Sequence, residues 1–142
     1  MVHVTRRERF NAAHRLFRPE LSDQENMDIF GKCSNPNWHG HNYTLYVTVR
    51  GEVDPATGFV VNLKKLSTLI REKVITKIDH KNLNLDVDFT RHLIPSTENL
   101  ALAIWEQLYD GVREMGAELH CVRIDETENN SASYFGNSQT HE

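Results

Sequence analysis

Cysteine is scarce in this chain of 142 residues: only Cys33 and Cys121 are present. A chain this long builds its own hydrophobic core, so a disulfide scaffold is neither needed nor suggested, and two reduced thiols fit a reducing compartment. No apolar run approaches the roughly 20 residues that cross a bilayer. The start, Met1-Val2-His3-Val4-Thr5-Arg6-Arg7, lacks a hydrophobic signal core, so a cytoplasmic location is expected. Basic clusters are missing too. The 16 Lys and Arg residues are scattered and outweighed by 20 Asp and Glu, leaving a net charge of −4, which argues against nucleic acid or a membrane surface as partner. Repeats, low-complexity tracts and linkers are absent, and one domain over residues 1–142, with a polar tail from about 137, is the expected organisation.

Histidine is where the chain is rich, with eight. Cys33 stands six residues ahead of the pair in His39-Gly40-His41, and His14 lies upstream in Phe10-Asn11-Ala12-Ala13-His14. In a strand, residues i and i+2 project to one face, so His39 and His41 can converge on one ion. A third imidazole from a neighbouring strand gives the ligand count of a catalytic zinc that keeps its fourth position open. Cys33 has three readings: a small buried hydrophobe, a fourth ligand closing a structural site, or a free thiol beside an open metal whose charge lowers its pKa. Its polar surroundings disfavour the first, and spacing does not separate the other two. His3, His92, His120 and His141 have no ligand spacing and read as ordinary polar residues.

The pattern of apolar residues predicts a first strand over 2–14, a long loop with a short helical turn over 15–37, and a second strand over 41–53. In that second strand Tyr43, Leu45, Val47 and Val49 share one face. Asp54-Pro55-Ala56-Thr57-Gly58 reads as a turn, with Phe59-Val60-Val61 returning antiparallel. Leu63, Leu66, Leu69, Ile70, Val74 and Ile78 mark one amphipathic helix; Leu100, Ile104, Leu108, Val112 and Met115 mark a second, with capping residues at Pro95-Ser96-Thr97-Glu98-Asn99. A last strand over 118–127 precedes a short Tyr134-Phe135 piece. Together these predict an α+β fold: an antiparallel four-stranded sheet with two helices packed on one face.

Three acidic positions remain. Asp79-His80 ends the first helix, where a solvated ion pair competes with a tuned base. Glu98 falls in the first turn of the second helix, where the macrodipole favours a carboxylate. Glu126 shares the parity of Val122 and Ile124, and a carboxylate on a buried face needs donors or a ligand.

The chain resembles the 6-pyruvoyl-tetrahydropterin synthases, specifically their animal-type branch. The motifs that carry the likeness are Phe10-Asn11-Ala12-Ala13-His14-Arg15-Leu16, Phe30-Gly31-Lys32-Cys33, Asn35-Pro36-Asn37, His39-Gly40-His41-Asn42-Tyr43, Asp54-Pro55-Ala56-Thr57-Gly58, Asp79-His80-Lys81-Asn82-Leu83, Ser96-Thr97-Glu98-Asn99 and Glu126-Thr127. The resemblance implies a carbon–oxygen lyase that converts 7,8-dihydroneopterin triphosphate to 6-pyruvoyl-tetrahydropterin with loss of triphosphate, in tetrahydrobiopterin synthesis. It implies Zn²⁺ on His14, His39 and His41, Cys33 as general base, and Asp79 and His80 completing a triad with Cys33 across a subunit boundary. It also implies Glu98 and Thr97 at the pterin, Glu126 in the proton relay, and Mg²⁺ with the triphosphate. The implied architecture is the tunnelling fold, whose sheets join into a barrel in a homohexamer built from two trimers. Three positions depart from the pattern. Trp38 occupies a glycine position, where an indole is expected to narrow the mouth or pack on substrate; Asp125 replaces an aromatic or aliphatic residue, and Ser96 one of two threonines. Two rivals are a 6-carboxy-tetrahydropterin synthase, whose cysteine sits four residues before the first histidine rather than six, and a non-catalytic zinc module with Cys33 as fourth ligand.

Overall fold

A computed structural model describes residues 1–137; the expected polar tail from Ser138 onward, with His141, lies outside the described residues. Strand β1 (Val2–His14) pairs antiparallel with β2 (His39–Gly51) along its whole length, from Val2 opposite Gly51 to His14 opposite His39. Strict alternation drives this pairing: Tyr43, Leu45, Val47 and Val49 point into the core while their neighbours face outward. Helix α1 (Asp23–Phe30) and a 3₁₀ turn (Gly31–Ser34) fill the loop between them. Helix α2 (Leu63–Ile70), a π turn (Arg71–Ile75) and α3 (Thr76–Ile78) run continuously into β3 (Lys81–Asn82). Helix α4 (Thr97–Glu114) then leads to β4 (Glu118–Asp125) and β5 (Ser131–Tyr134).

The α+β class and the helices on one face stand, but the sheet is five-stranded and mixed, in the order β3-β1-β2-β4-β5, rather than four-stranded and antiparallel. Phe59-Val60-Val61 forms no strand. The chain leaves the sheet after Gly51 through a turn closed by Gly58 N–H donating to Asp54 O (2.7 Å), and Val61 is buried by packing instead of pairing. The added strands are β3, which runs parallel beside Ala12 and Ala13, and β5, whose Tyr134 ring lies 5.2 Å from Trp105.

The long loop holds a true helix because Ser22 and Glu25 form a reciprocal capping box. Only Asn26 of α1 is buried, so apolar periodicity carries no trace of it. In the first predicted helix Leu66, Ile70, Val74 and Ile78 recur every four residues and are all fully buried, whereas Leu63 is exposed. A four-residue repeat drifts off a 3.6-residue helix, and the wider π turn returns Val74 and Ile78 to the core face. Leu100, Ile104, Leu108 and Val112 pack from α4 against the same sheet face. No helix among the described residues is long and apolar enough to cross a membrane.

Candidate metal centre and active site

The site lies where the core-facing parity of β1 and β2 runs out of aliphatic residues. Register places His14 opposite His39 and Ala12 opposite His41, so all three imidazoles emerge on the helix-covered face. Gly40 fits between them because a Cβ there would stand 3.2 Å from the Ala12 carbonyl oxygen. The rings meet edge to face at 4.5 Å (His14 and His39), 5.1 Å (His14 and His41) and 5.0 Å (His39 and His41). One nitrogen from each lies within 4.8 Å of the others.

His14 is 1% exposed, and its Nδ1 donates to the Pro95 carbonyl at 2.8 Å with the Tyr43 hydroxyl 3.3 Å away. A carbonyl only accepts, so Nδ1 carries the proton and Nε2 presents a lone pair. His14 Nε2, His39 Nδ1 and His41 Nε2 are the buried side-chain nitrogens without hydrogen-bond partners among the described residues. Buried polar atoms are nearly always partnered, and three that converge without partners fit a cation.

Burial pushes the proton affinity of His14 and His39 down, reinforced by the neighbouring imidazoles, while the Pro95 carbonyl opposes it at His14. Both are therefore neutral near pH 7, the state a metal requires. Because their folded pKa values lie below the ordinary 6.5, the unfolded chain takes up protons first as pH falls. The metal-free protein is expected to hold its full stability above that value and to lose it progressively below. Melting temperature of chelator-treated protein between pH 7.5 and pH 5 reads this, and a flat profile would refute buried neutral histidines.

Cys33 is half-buried in the 3₁₀ turn and does not belong to the converged ligand set. Its charge nonetheless reaches Tyr43: burial first, then Glu126 and Cys33, push the Tyr43 hydroxyl far above its ordinary range. Glu126 sits one residue past β4, with Oε1 3.7 Å from His41 Nε2 and Oε2 accepting from Thr97 Oγ1 at 2.7 Å. Cys33, Glu126, Thr97 and the three histidines thus share one end of the sheet.

Asp79 and His80 form a separate set. Asp79 Oδ1 accepts from the Asn11 backbone N–H at 2.9 Å, which first among its contacts holds this carboxyl below the usual range, and His80 Nδ1 lies 3.0 Å from it. His80 N–H donates to Asn11 O at 2.6 Å, and the His80 side chain is 80% exposed. Asn11 lies on the opposite parity from His14, and the groups acting on Asp79 do not include Cys33. Glu98 is exposed in the first turn of α4.

Trp38 adopts φ 67°, which explains glycine at this position of the family pattern, and its indole packs edge-on against Phe17. Sequence reasoning missed two groups that orient His14. Tyr43, on the same parity as His41, left a signal that a strand reading could have used; the Pro95 carbonyl left none.

Comparison with known proteins agrees with this geometry. The profile of the 6-pyruvoyl tetrahydropterin synthase family matches residues 3–137. The 6-pyruvoyl tetrahydrobiopterin synthases of Pongo abelii and Homo sapiens are 49% and 48% identical to this chain over 135 residues, covering 95% of it and 92% of each relative. The solved 6-pyruvoyl tetrahydropterin synthase of Caenorhabditis elegans superposes with a TM-score of 0.89 at 42% identity, covering 96% of both chains. Sequence, sheet order and the placement of three histidines agree, and the chain belongs to the 6-pyruvoyl tetrahydropterin synthase family.

Proposed function

We propose that this chain is a zinc-dependent lyase that converts 7,8-dihydroneopterin triphosphate to 6-pyruvoyl-tetrahydropterin, releasing triphosphate, as a step of tetrahydrobiopterin synthesis in the cytoplasm. The observation that carries this reading is the convergence of three buried, unpartnered histidine nitrogens beside a free thiol. His14, His39 and His41 hold Zn²⁺, which when bound supplies Lewis acidity to the hydroxyls of the substrate side chain and acidifies the adjacent C–H bonds.

Cys33 is the base that takes a proton from one side-chain carbon and returns it to another, so oxidation and reduction balance within the substrate and no external redox cofactor enters. Glu126, already bonded to Thr97, assists that proton relay from the metal side of the pocket. Glu98, with Thr97, binds the pterin. Mg²⁺ accompanies the triphosphate.

Asp79 and His80 pair with the Cys33 of a neighbouring subunit. Their separation from Cys33 within one chain supports this reading, and so do the sheet's unpaired edges. Among the described residues β1 meets β3 only at Ala12 and Ala13, and the outer side of β5 has no strand partner. Edges of this kind take strands from another copy, which suits sheets joined into a barrel in a homohexamer of two trimers, each chain contributing one domain.

Incubation with dihydroneopterin triphosphate and Mg²⁺, followed by chemical reduction, is expected to yield biopterin. A carboxylated pterin would assign the chain to the deazaguanine branch, and no turnover would leave a zinc-stabilised module.

A further inference from the structure

The turn bearing Cys33 and the strand end bearing His14 belong to different elements, yet a base and a metal acting on one substrate need a fixed separation. We propose that Arg15 is a positioning residue that sets it, an inference that rests on Cys33 being the base. Arg15 follows His14 directly, and its backbone is clamped at both groups: N–H donates to Asn84 Oδ1 at 3.0 Å, and its carbonyl accepts from Asn84 Nδ2 at 2.9 Å.

From that clamp the side chain reaches into the cysteine turn. Arg15 Nε donates to the Ser34 carbonyl at 2.8 Å, one residue past Cys33, while Leu16 N–H donates to the Cys33 carbonyl itself at 2.8 Å. Ser34 Oγ closes the turn on the Gly31 carbonyl at 3.0 Å. The guanidinium stacks 4.0 Å above the Phe17 ring, whose other contact is the Trp38 indole at 6.4 Å. Its contact with Asp23, at 3.5 Å to an exposed carboxylate, is the weakest of the set.

The side chain is 13% exposed, so this arginine is spent inside the structure rather than on solvent or free for a phosphate. Stacking and directed donation from one planar group are what a lysine cannot reproduce. The left-handed Trp38 completes the stack, which gives its unfavourable φ a physical compensation.

Misplacement of a reacting group by about 1 Å costs on the order of 100-fold in rate. Arg15→Gln is therefore expected to lower kcat by about 10- to 100-fold, with KM changed less than about twofold and one zinc per chain retained. Arg15→Lys should recover part of that loss. The decisive readout is a double-mutant cycle: in a Cys33→Ala background Arg15→Gln should cause almost no further fall in residual turnover, since its effect passes through the thiol. An additive fall, loss of zinc, or unchanged kcat in Arg15→Gln would overturn the positioning role. If Arg15→Gln does not fold, the same cycle run with Arg15→Lys decides. Full turnover by Cys33→Ala alone would instead sink the assignment of Cys33 as base, which separates the two failures.

Discussion

Replacement of Cys33 by alanine is expected to lower kcat by about 10²- to 10⁴-fold, the contribution of a positioned general base, while bound zinc and melting temperature stay at wild-type levels. The expectation follows from where the sulfur is and is not. It stands outside the nitrogen cluster that fits the metal, yet close enough for its charge to act on Tyr43 together with Glu126. Its turn is held by backbone bonds, Leu16 N–H to Cys33 O and Asn35 N–H to Lys32 O, none of which needs the thiol. Truncation removes one half-buried sulfur and no hydrogen bond that shapes the site. Turnover, metal content and thermal melting of one preparation check this. A zinc-free or unfolded Cys33→Ala protein would instead make Cys33 the fourth ligand of a closed structural site.

The metal ligands were legible because their signal is local. His39 and His41 are i and i+2 in a strand whose alternation is unambiguous, and His14 ends a second strand of the same parity. Their mutual distance required only that the two strands pair, which consecutive strands commonly do. Glu126 was legible for a related reason, since a carboxylate on buried parity needs a partner, and Thr97 Oγ1 is one.

Features that depend on the path of the chain between elements were not. Phe59-Val60-Val61 has the composition of a strand, but burial by packing and burial by pairing leave the same apolar signature. Helix α1 is announced by its Ser22–Glu25 box, although its apolar residues Met27 and Ile29 face outward and erase the period. Lys81-Asn82 pairs with β1 through two residues, too few to show any alternation. Arg15 reads in sequence as one more surface cation; its stacking on Phe17 and its reach to Ser34 exist only once the 3₁₀ turn is placed.

His39→Ala is the second substitution with a large expected effect, and it separates metal loss from loss of fold better than either companion. His14 is fully buried and tied to Pro95 and Tyr43, so its removal would also break a packed, hydrogen-bonded corner. His41 shares its surroundings with Glu126, whose carboxylate would be left facing an emptied space. His39 is only partly buried, opposes His14 at the end of the strand pair, and its Nδ1 has no hydrogen-bond partner among the described residues. Its loss leaves two imidazoles, one short of the set that retains a catalytic zinc. Metal content should fall from one per chain to near zero after dialysis, with turnover at background, while secondary structure persists. Ligand-linked stability supplies an independent check. Chelation should lower the melting temperature of the wild-type protein, because only the folded chain assembles the site, and should leave His39→Ala unmoved. Retention of stoichiometric zinc by His39→Ala would place the metal on a different ligand set and remove the basis for assigning His14, His39 and His41 as its holders.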